Sequence, residues 1–210
     1  MRDIPVFTTE LGVASLILSQ IPYTQKAYIH IQDSGKAELF LQECVSFCKS
    51  AGADAIYATG HKVCEGYPVY ASILEMQADL AGIGDTDAAL FPVTEATKEQ
   101  WRNIYNKKIT GIPGSAWMSF YQGKELLTDA YFIHRDHQLF GIGKASGDRI
   151  DWVASCAANA GAEIVRALCH ALSSDTVNLQ VASTNEKAIC LYKRLGFLCT
   201  GVSTVWYHIA

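Results

Sequence analysis

The sequence predicts an α/β fold of the α+β kind, a mixed and mostly antiparallel central sheet with flanking helices, and three observations carry that expectation. Apolar runs at 130–133 and 139–144 flank the polar bend His134-Arg135-Asp136-His137-Gln138, which reads as a hairpin, and 149–157 follows Ser146-Gly147 as a third antiparallel strand. A small-residue loop at 158–161 then leads into a helix over 162–172, whose Ile164, Val165, Leu168, Cys169 and Leu172 make a broad buried face. The next strand completes a crossover: Val177, Leu179 and Val181 alternate with polar neighbours up to about 182. A last helix follows. Ser183 and Glu186 have the spacing of a capping box, Ala188, Leu191, Tyr192 and Leu195 share one face, and Gly196 supplies the left-handed stop.

The chain before these elements carries weaker signals. Residues 11–19 read as a strand and 27–32 as another, partly alternating one; 36–51 reads as a helix whose apolar face holds Leu39, Leu41, Cys44, Val45 and Cys48. Gly52 closes that helix, 55–59 is a strand, and 70–76 is a strand after a loop containing Gly60, Gly66 and Pro68. The order is strand, strand, helix, strand, strand. Residues 81–87 are small and polar, which predicts a boundary between a segment 1–85 and a domain 86–210. After an apolar run at 88–93, a helix is expected over 94–108 with Trp101, Ile104 and Tyr105 at near-helical spacing. Gly111-Ile112-Pro113-Gly114 breaks it, and a second helix is expected over 115–127 with Trp117, Phe120 and Tyr121.

Composition narrows the function classes. Half of the 210 residues are hydrophobic and 18% are charged, so the chain is globular with a substantial core. A net charge of −4 offers no general attraction for nucleic acid or an anionic membrane. The apolar stretch 11–21 is too short to span a bilayer and has no basic flank, so a cytoplasmic protein is expected. Seven cysteines form no C-x-x-C pair and no ligand ladder with the six scattered histidines, so buried thiols and no metal are expected; Cys44 and Cys48 share a helix face without a histidine nearby.

The chemistry enters through the last helix. Asn185, Ala188, Leu191, Tyr192 and Leu195-Gly196-Phe197 resemble the N-x-x-A-x-x-L-Y-x-x-L-G-F signature of the GNAT superfamily of acyl-CoA-dependent N-acyltransferases. The resemblance covers 88–209 as a complete domain and, more faintly, 11–76 as an incomplete, non-catalytic half of another. It implies acetyl-CoA as cosubstrate and direct transfer of its acetyl group to a primary amine. Tyr192 would protonate the departing thiolate, Asn185 would lie near the pantetheine arm, and Trp117 and Tyr121 would wall the acceptor side.

The resemblance also assigns the cofactor loop. Helix N-terminal amides attract phosphate without a basic side chain, and Asn159-Ala160-Gly161-Ala162 offers such a surface to the CoA pyrophosphate. The family's loop reads Q/R-x-x-G-x-G/A; here Cys156 occupies the Q/R position and Asn159 the first glycine. In the family the entering strand splays from its neighbour and pairs with pantetheine, which implicates Ala154, Ser155, Cys156 and Ala157, and one strand amide holds the oxyanion. Asp151 and His170 are both candidates for the base that deprotonates the amine, whereas His134 and His137 are read as solvated. The degenerate loop motivates an alternative, a catalytically silent acyl-CoA-binding or protein-interaction module. The first segment leaves a sheet edge and an apolar face to be covered, by the second domain or by another copy in a homodimer.

Overall fold

A computed structural model describes residues 4–119 and 128–210. The chain condenses into two compact units, each assembled from separate stretches: Met1–Ile73, Ile109–Met118 and Ser203–Ala210 in the first, and Leu74–Lys108 and Ser119–Val202 in the second. The boundary therefore follows the folding back of the chain and not one cut near residue 85.

The first unit contains β1 (Val6–Thr9), β2 (Gly12–Ile17), a single turn α1 (Ile21–Thr24), β3 (Lys26–Ser34), α2 (Ala37–Ser50) and β4 (Ala55–Thr59), with the first half of β5 (Val69–Asp79). The β1–β2 and β2–β3 pairs are antiparallel, and β3–β4 is the parallel crossover pair spanned by α2. Every residue of β4 is in register with β3, from Lys26 with Ala55 to His30 with Thr59. Leu16, Ile29, Ile31, Phe40, Cys44 and Ile56 meet beneath α2 in a core from which water is excluded. Each such side chain contributes roughly 1.5–3 kcal/mol.

One buried polar residue ties a distant stretch into this unit. Gln20 is fully buried, yet its amide donates to the carbonyls of Ile112 (3.2 Å) and Ser115 (2.7 Å), and its carbonyl accepts from Gly111 N (2.9 Å). Ser19 Oγ accepts from Trp117 N at 3.1 Å. These bonds correct the expectation of a helix over 115–127. The carbonyl of Ser115 is taken by a side chain, Gly114 stands at φ +67 against the Trp206 indole, and residues 115–119 are not helical. The rest of the expected helix, with Phe120 and Tyr121, lies outside the described residues.

The second unit holds β6 (Ala89–Pro92), α3 (Lys98–Ile109), β7 (Ala130–Arg135), β8 (Gln138–Ser146), β9 (Arg149–Ser155), α4 (Gly161–Cys169), β10 (Thr176–Ala182), α5 (Glu186–Arg194) and the first half of β11 (Leu198–His208). Strands β6 to β9 form an antiparallel meander, and β9 pairs in parallel with β10 across α4. The mixed, mostly antiparallel sheet with flanking helices is thus as the sequence implies. The β7–β8 turn places Asp136 (φ +50) and His137 (φ +61) both in the left-handed region, the twist that a tight hairpin demands. On β8, Gly141 and Gly143 lie under Ile164 and Leu168 of α4, and a Cβ at either glycine would overlap those side chains. Two absent side chains thus let α4 settle onto the sheet.

Strands β1 and β11 carry no clear signal in the sequence. Most of β11 from Leu198 to Ser203 is exposed, so no apolar alternation marks it.

We predict that Gln20→Ala lowers stability by about 2 kcal/mol, because the Ser115 carbonyl and the Gly111 amide lose their partner and the Ile112 carbonyl loses one of two. A fall in the urea midpoint with an unchanged slope would show it, and a change below about 1 kcal/mol would contradict the clasp.

Candidate active site

The parallel ladder between β9 and β10 consists of two register pairs, Arg149 with Asn178 and Ile150 with Leu179. Beyond them β9 runs on to Ser155 and β10 to Ala182 without further pairing to each other. The strands part at the end where α4 begins. This is where Ala154, Ser155, Cys156 and Ala157 were expected to line a cofactor. The amides of Cys156 (2.7 Å) and Ala157 (3.2 Å) donate to the carbonyl of Phe140 on β8, so they face away from the gap. Ala154 is buried, Cys156 is exposed, and the hydroxyl of Ser155 is buried without a hydrogen-bond partner among the described residues.

The turn after β9 explains the departure from the family's loop. Asn159 has φ +58, a left-handed backbone in which asparagine is the residue best tolerated after glycine. Asparagine therefore performs the turn that the family gives to its first glycine. Ala160 is the N-cap of α4 and no side chain caps it, so the first-turn amides from Gly161 and Ala162 point outward from an uncapped helix start. A Cβ at Gly161 would stand 2.8 Å from Leu191 Cδ2. The glycine thus also brings α5 against the start of α4, and with it Tyr192, the next residue along.

The charge at this helix start is balanced by groups distant in sequence. Glu163 in the first turn accepts from Thr86, forms an ion pair with Arg166 at 2.7 Å and lies 3.7 Å from Arg135. The Thr86 hydrogen bond and then the arginines hold its carboxyl below the usual range. Burial pushes the Cys156 thiol up while the Lys108 ammonium of α3 opposes it. Nothing in the local sequence around 156–162 announces Lys108 or Arg135.

Helix α5 begins two residues later than a Ser183 capping box would place it. A turn bond from Asn185 N to Ala182 O (2.9 Å) occupies that stretch, and Asn185 itself is the N-cap, its Oδ1 accepting from Ala188 N at 3.2 Å. The asparagine of the signature therefore has a structural duty, although its exposed amide nitrogen is still available. At the other end Gly196 has φ +92; Gly196 N donates to Lys193 O and Phe197 N to Tyr192 O, the two bonds of a Schellman stop. The rings of Phe197 and Tyr192 meet at 5.7 Å.

Tyr192 is 8% exposed and packs among the core side chains of the unit. Desolvation raises its phenol from 10.0 to about 12. Of the two candidate bases, Asp151 is exposed with Arg149 at 3.5 Å. His170 is the C-cap of α4, paired with Asp85 at 3.0 Å, at the opposite end of the helix from Gly161. Trp117 stacks on Tyr23 at 4.6 Å in the first unit. His134 meets Phe91 edge-on at the hairpin. Cys44 and Cys48 are buried thiols, and no group of three metal-ligating side chains occurs among the described residues. No helix of the described residues is long and apolar enough to cross a membrane.

Two outcomes are expected. Asn159→Val should cost about 1–2 kcal/mol and Asn159→Gly close to nothing, read from thermal melts; equal costs would remove the backbone argument. Because the folded phenol of Tyr192 titrates above its unfolded value, its share of stability is complete below pH 10 and is lost as pH rises towards about 12. Tyr192→Phe should therefore flatten the alkaline loss of stability between pH 10 and 12, by roughly 3 kcal/mol at most.

No protein-family model and no curated protein sequence matches the chain. Solved structures do. A functionally unknown conserved protein from Staphylococcus epidermidis superposes with a TM-score of 0.55 at 12% identity, over 100% of this chain and 96% of that one. A GCN5-related N-acetyltransferase from Sphaerobacter thermophilus does so at 0.54 and 11%, over 94% and 76%. Eis1 from Mycobacterium abscessus does so at 0.59 and 13%, over 96% of this chain and 63% of that one. With the parted crossover strands, the glycine-led helix and the signature on α5, these likenesses identify the fold of this chain as that of the GNAT superfamily.

Proposed function

We propose that the second unit binds acetyl-CoA between β9 and β10 and transfers its acetyl group to a primary amine. The observation that carries this reading is the two-pair ladder: both strands run on past it without pairing to each other, and the amide-bearing pantetheine arm would lie between them as a strand would. The pyrophosphate would rest on the amides of Gly161 and Ala162, with Asn159 shaping the turn. Lys108 would supply positive charge that the loop itself lacks, whereas Arg135 is shared among Asp87, Asp136 and Glu163. Ser155 would gain a partner for its buried hydroxyl.

In the reaction the amine attacks the thioester carbonyl and a strand amide from β9 steadies the oxyanion; the nitrogen then gives up its proton to water, and the thiolate leaves with a proton from a donor that regains one from water. A donor amide of this kind is worth about 3 kcal/mol. Tyr192 would give the proton. At about 12 its phenol lies well above a free thiol, so donation would be uphill by roughly 5 kcal/mol against a solvated thiolate. A thiolate leaving into the same core is not solvated, however. Burial lifts the Cys169 thiol of that core to about 12, and a CoA sulfur equally desolvated would match the phenol.

The first unit is proposed to be non-catalytic. Its own crossover pair is closed along the whole of β4, and Gly60 at its end abuts the carbonyl of Ile31, so no arm could enter there. A second reading, an acyl-CoA-binding module without turnover, draws support from the deep burial of Tyr192 and the capping role of Asn185.

Calorimetric titration with acetyl-CoA, followed by thiol release in the presence of an amine panel, separates the readings. Binding with amine-dependent thiol release is the expected result; binding with no release across the panel would favour the silent module, and no binding would remove both. Tyr192→Phe should cut kcat by roughly tenfold or more while leaving acetyl-CoA affinity within about twofold. An unchanged kcat would take Tyr192 out of the proton transfer.

A further inference from the structure

Strands β3, β4 and β5 of the first unit carry a polar cluster for which the transferase reading has no use. Tyr28 and Tyr57 are register partners across β3 and β4, with rings 5.2 Å apart at 25°. Tyr57 in turn stacks on Tyr70 of β5 at 3.9 Å and 25°. The three phenols form one near-parallel column. Lys26 lies two residues before Tyr28, on the same face of β3. Its Nζ donates to Tyr70 Oη at 3.1 Å and lies 5.7 Å and 5.2 Å from the ring centres of Tyr57 and Tyr70. The hydrogen bond to Tyr70 raises the ammonium above its ordinary range, so it stays charged.

Burial is graded along the cluster. Tyr28 is 0% and Tyr57 6% exposed, whereas Lys26 and Tyr70 are half-buried, giving a deep phenol end and an open ammonium end. The Tyr28 hydroxyl lies near Tyr70 but completes no hydrogen bond among the described residues. A buried hydroxyl in that condition is costly, and native folds keep few of them. No described carboxylate lies within ion-pair distance of Lys26. The chemistry on offer is one ammonium, phenolic donors and flat apolar walls. A single cation without an arginine suits a monoanion better than a polyphosphate.

We propose that Lys26, Tyr28, Tyr57 and Tyr70 form a binding site in the first unit for the carboxylate of a small apolar or aromatic acid. The carboxylate would pair with Lys26 Nζ and accept from the phenols, its body lying against the ring column. Trp206 approaches Tyr28 edge-on at 5.3 Å and closes the deep end. The site stands apart from the acetyl-CoA reading and does not depend on it.

Calorimetric titration of benzoate into the full chain, with acetate and inorganic phosphate in parallel, tests the proposal. One benzoate site is expected, roughly tenfold weaker or worse in Lys26→Met, which keeps the side-chain stem, and weakened also in Tyr70→Phe and Tyr28→Phe. Tyr70→Phe removes one phenol hydroxyl and the hydrogen bond it accepts from Lys26 while leaving the ring column in place, so it remains informative if Lys26→Met does not fold. Absence of benzoate binding, an affinity indifferent to Lys26→Met and Tyr70→Phe, or phosphate bound more tightly than benzoate would each overturn the assignment. So would a Tyr28→Phe chain that melts higher and binds benzoate as before, since the hydroxyl would then be a packing defect. The result reads the same whether or not acetyl-CoA binds.

Discussion

Backbone N–H and C=O groups removed from water need partners, and in the second unit β9 and β10 supply each other with partners for two register pairs only. The arrangement around them follows from that shortfall. Cys156 and Ala157 turn their amides to β8, the chain passes through a left-handed Asn159, and α4 starts without a side-chain cap. Gly141 and Gly143 then hold α4 close to the sheet, so its first turn faces the opening between the strands. In the first unit the same strand-helix-strand order ends differently, with β4 paired along its full length. The two crossovers share a topology and differ in where hydrogen bonding stops.

For two groups in the core of the second unit, acid-base character is set by burial more than by neighbouring charge. Tyr192 and Cys169 share one core and both titrate far above their ordinary values because the charged form loses its water. Cations act on the start of α4 instead, where Arg135 and Arg166 share Glu163 and Lys108 opposes the effect of burial on Cys156. In the acetyl-CoA reading proposed above, such a division would suit a ligand with anionic phosphates at one end and a neutral thioester at the other.

What could be read in the sequence was whatever the backbone dictates locally. The meander from β7 to β9, α4, β10 and the stop at Gly196 rest on alternation, small-residue turns and a glycine, and all are visible within a few residues. The helix expected over 115–127 was misread at its start because its competitor, Gln20, lies over ninety residues away and takes the Ser115 carbonyl. The cap of α5 slipped from Ser183 to Asn185 because both residue types cap and only the turn bond to Ala182 decides between them. Strand β11 escaped because its exposed half needs no apolar pattern. At the opening, Asn159 looked like a defect in a glycine motif and is instead the second-best residue for the same φ. Lys108 and the tyrosine column were illegible for the same reason as Gln20: only the folded chain brings them to their neighbours.

The tail of the chain completes the unit that its head begins. Tyr207 and His208 pair with Ala58 and Tyr57, and Ile56 N donates to the carbonyl of Ala210 at 2.7 Å. During synthesis the opening strands must therefore wait, with β4 bare along one edge, until residues 207–210 have left the ribosome. Loss of residues 207–210 would injure the unit that holds β4 first, and a nascent chain stalled before them would display a sticky edge to chaperones.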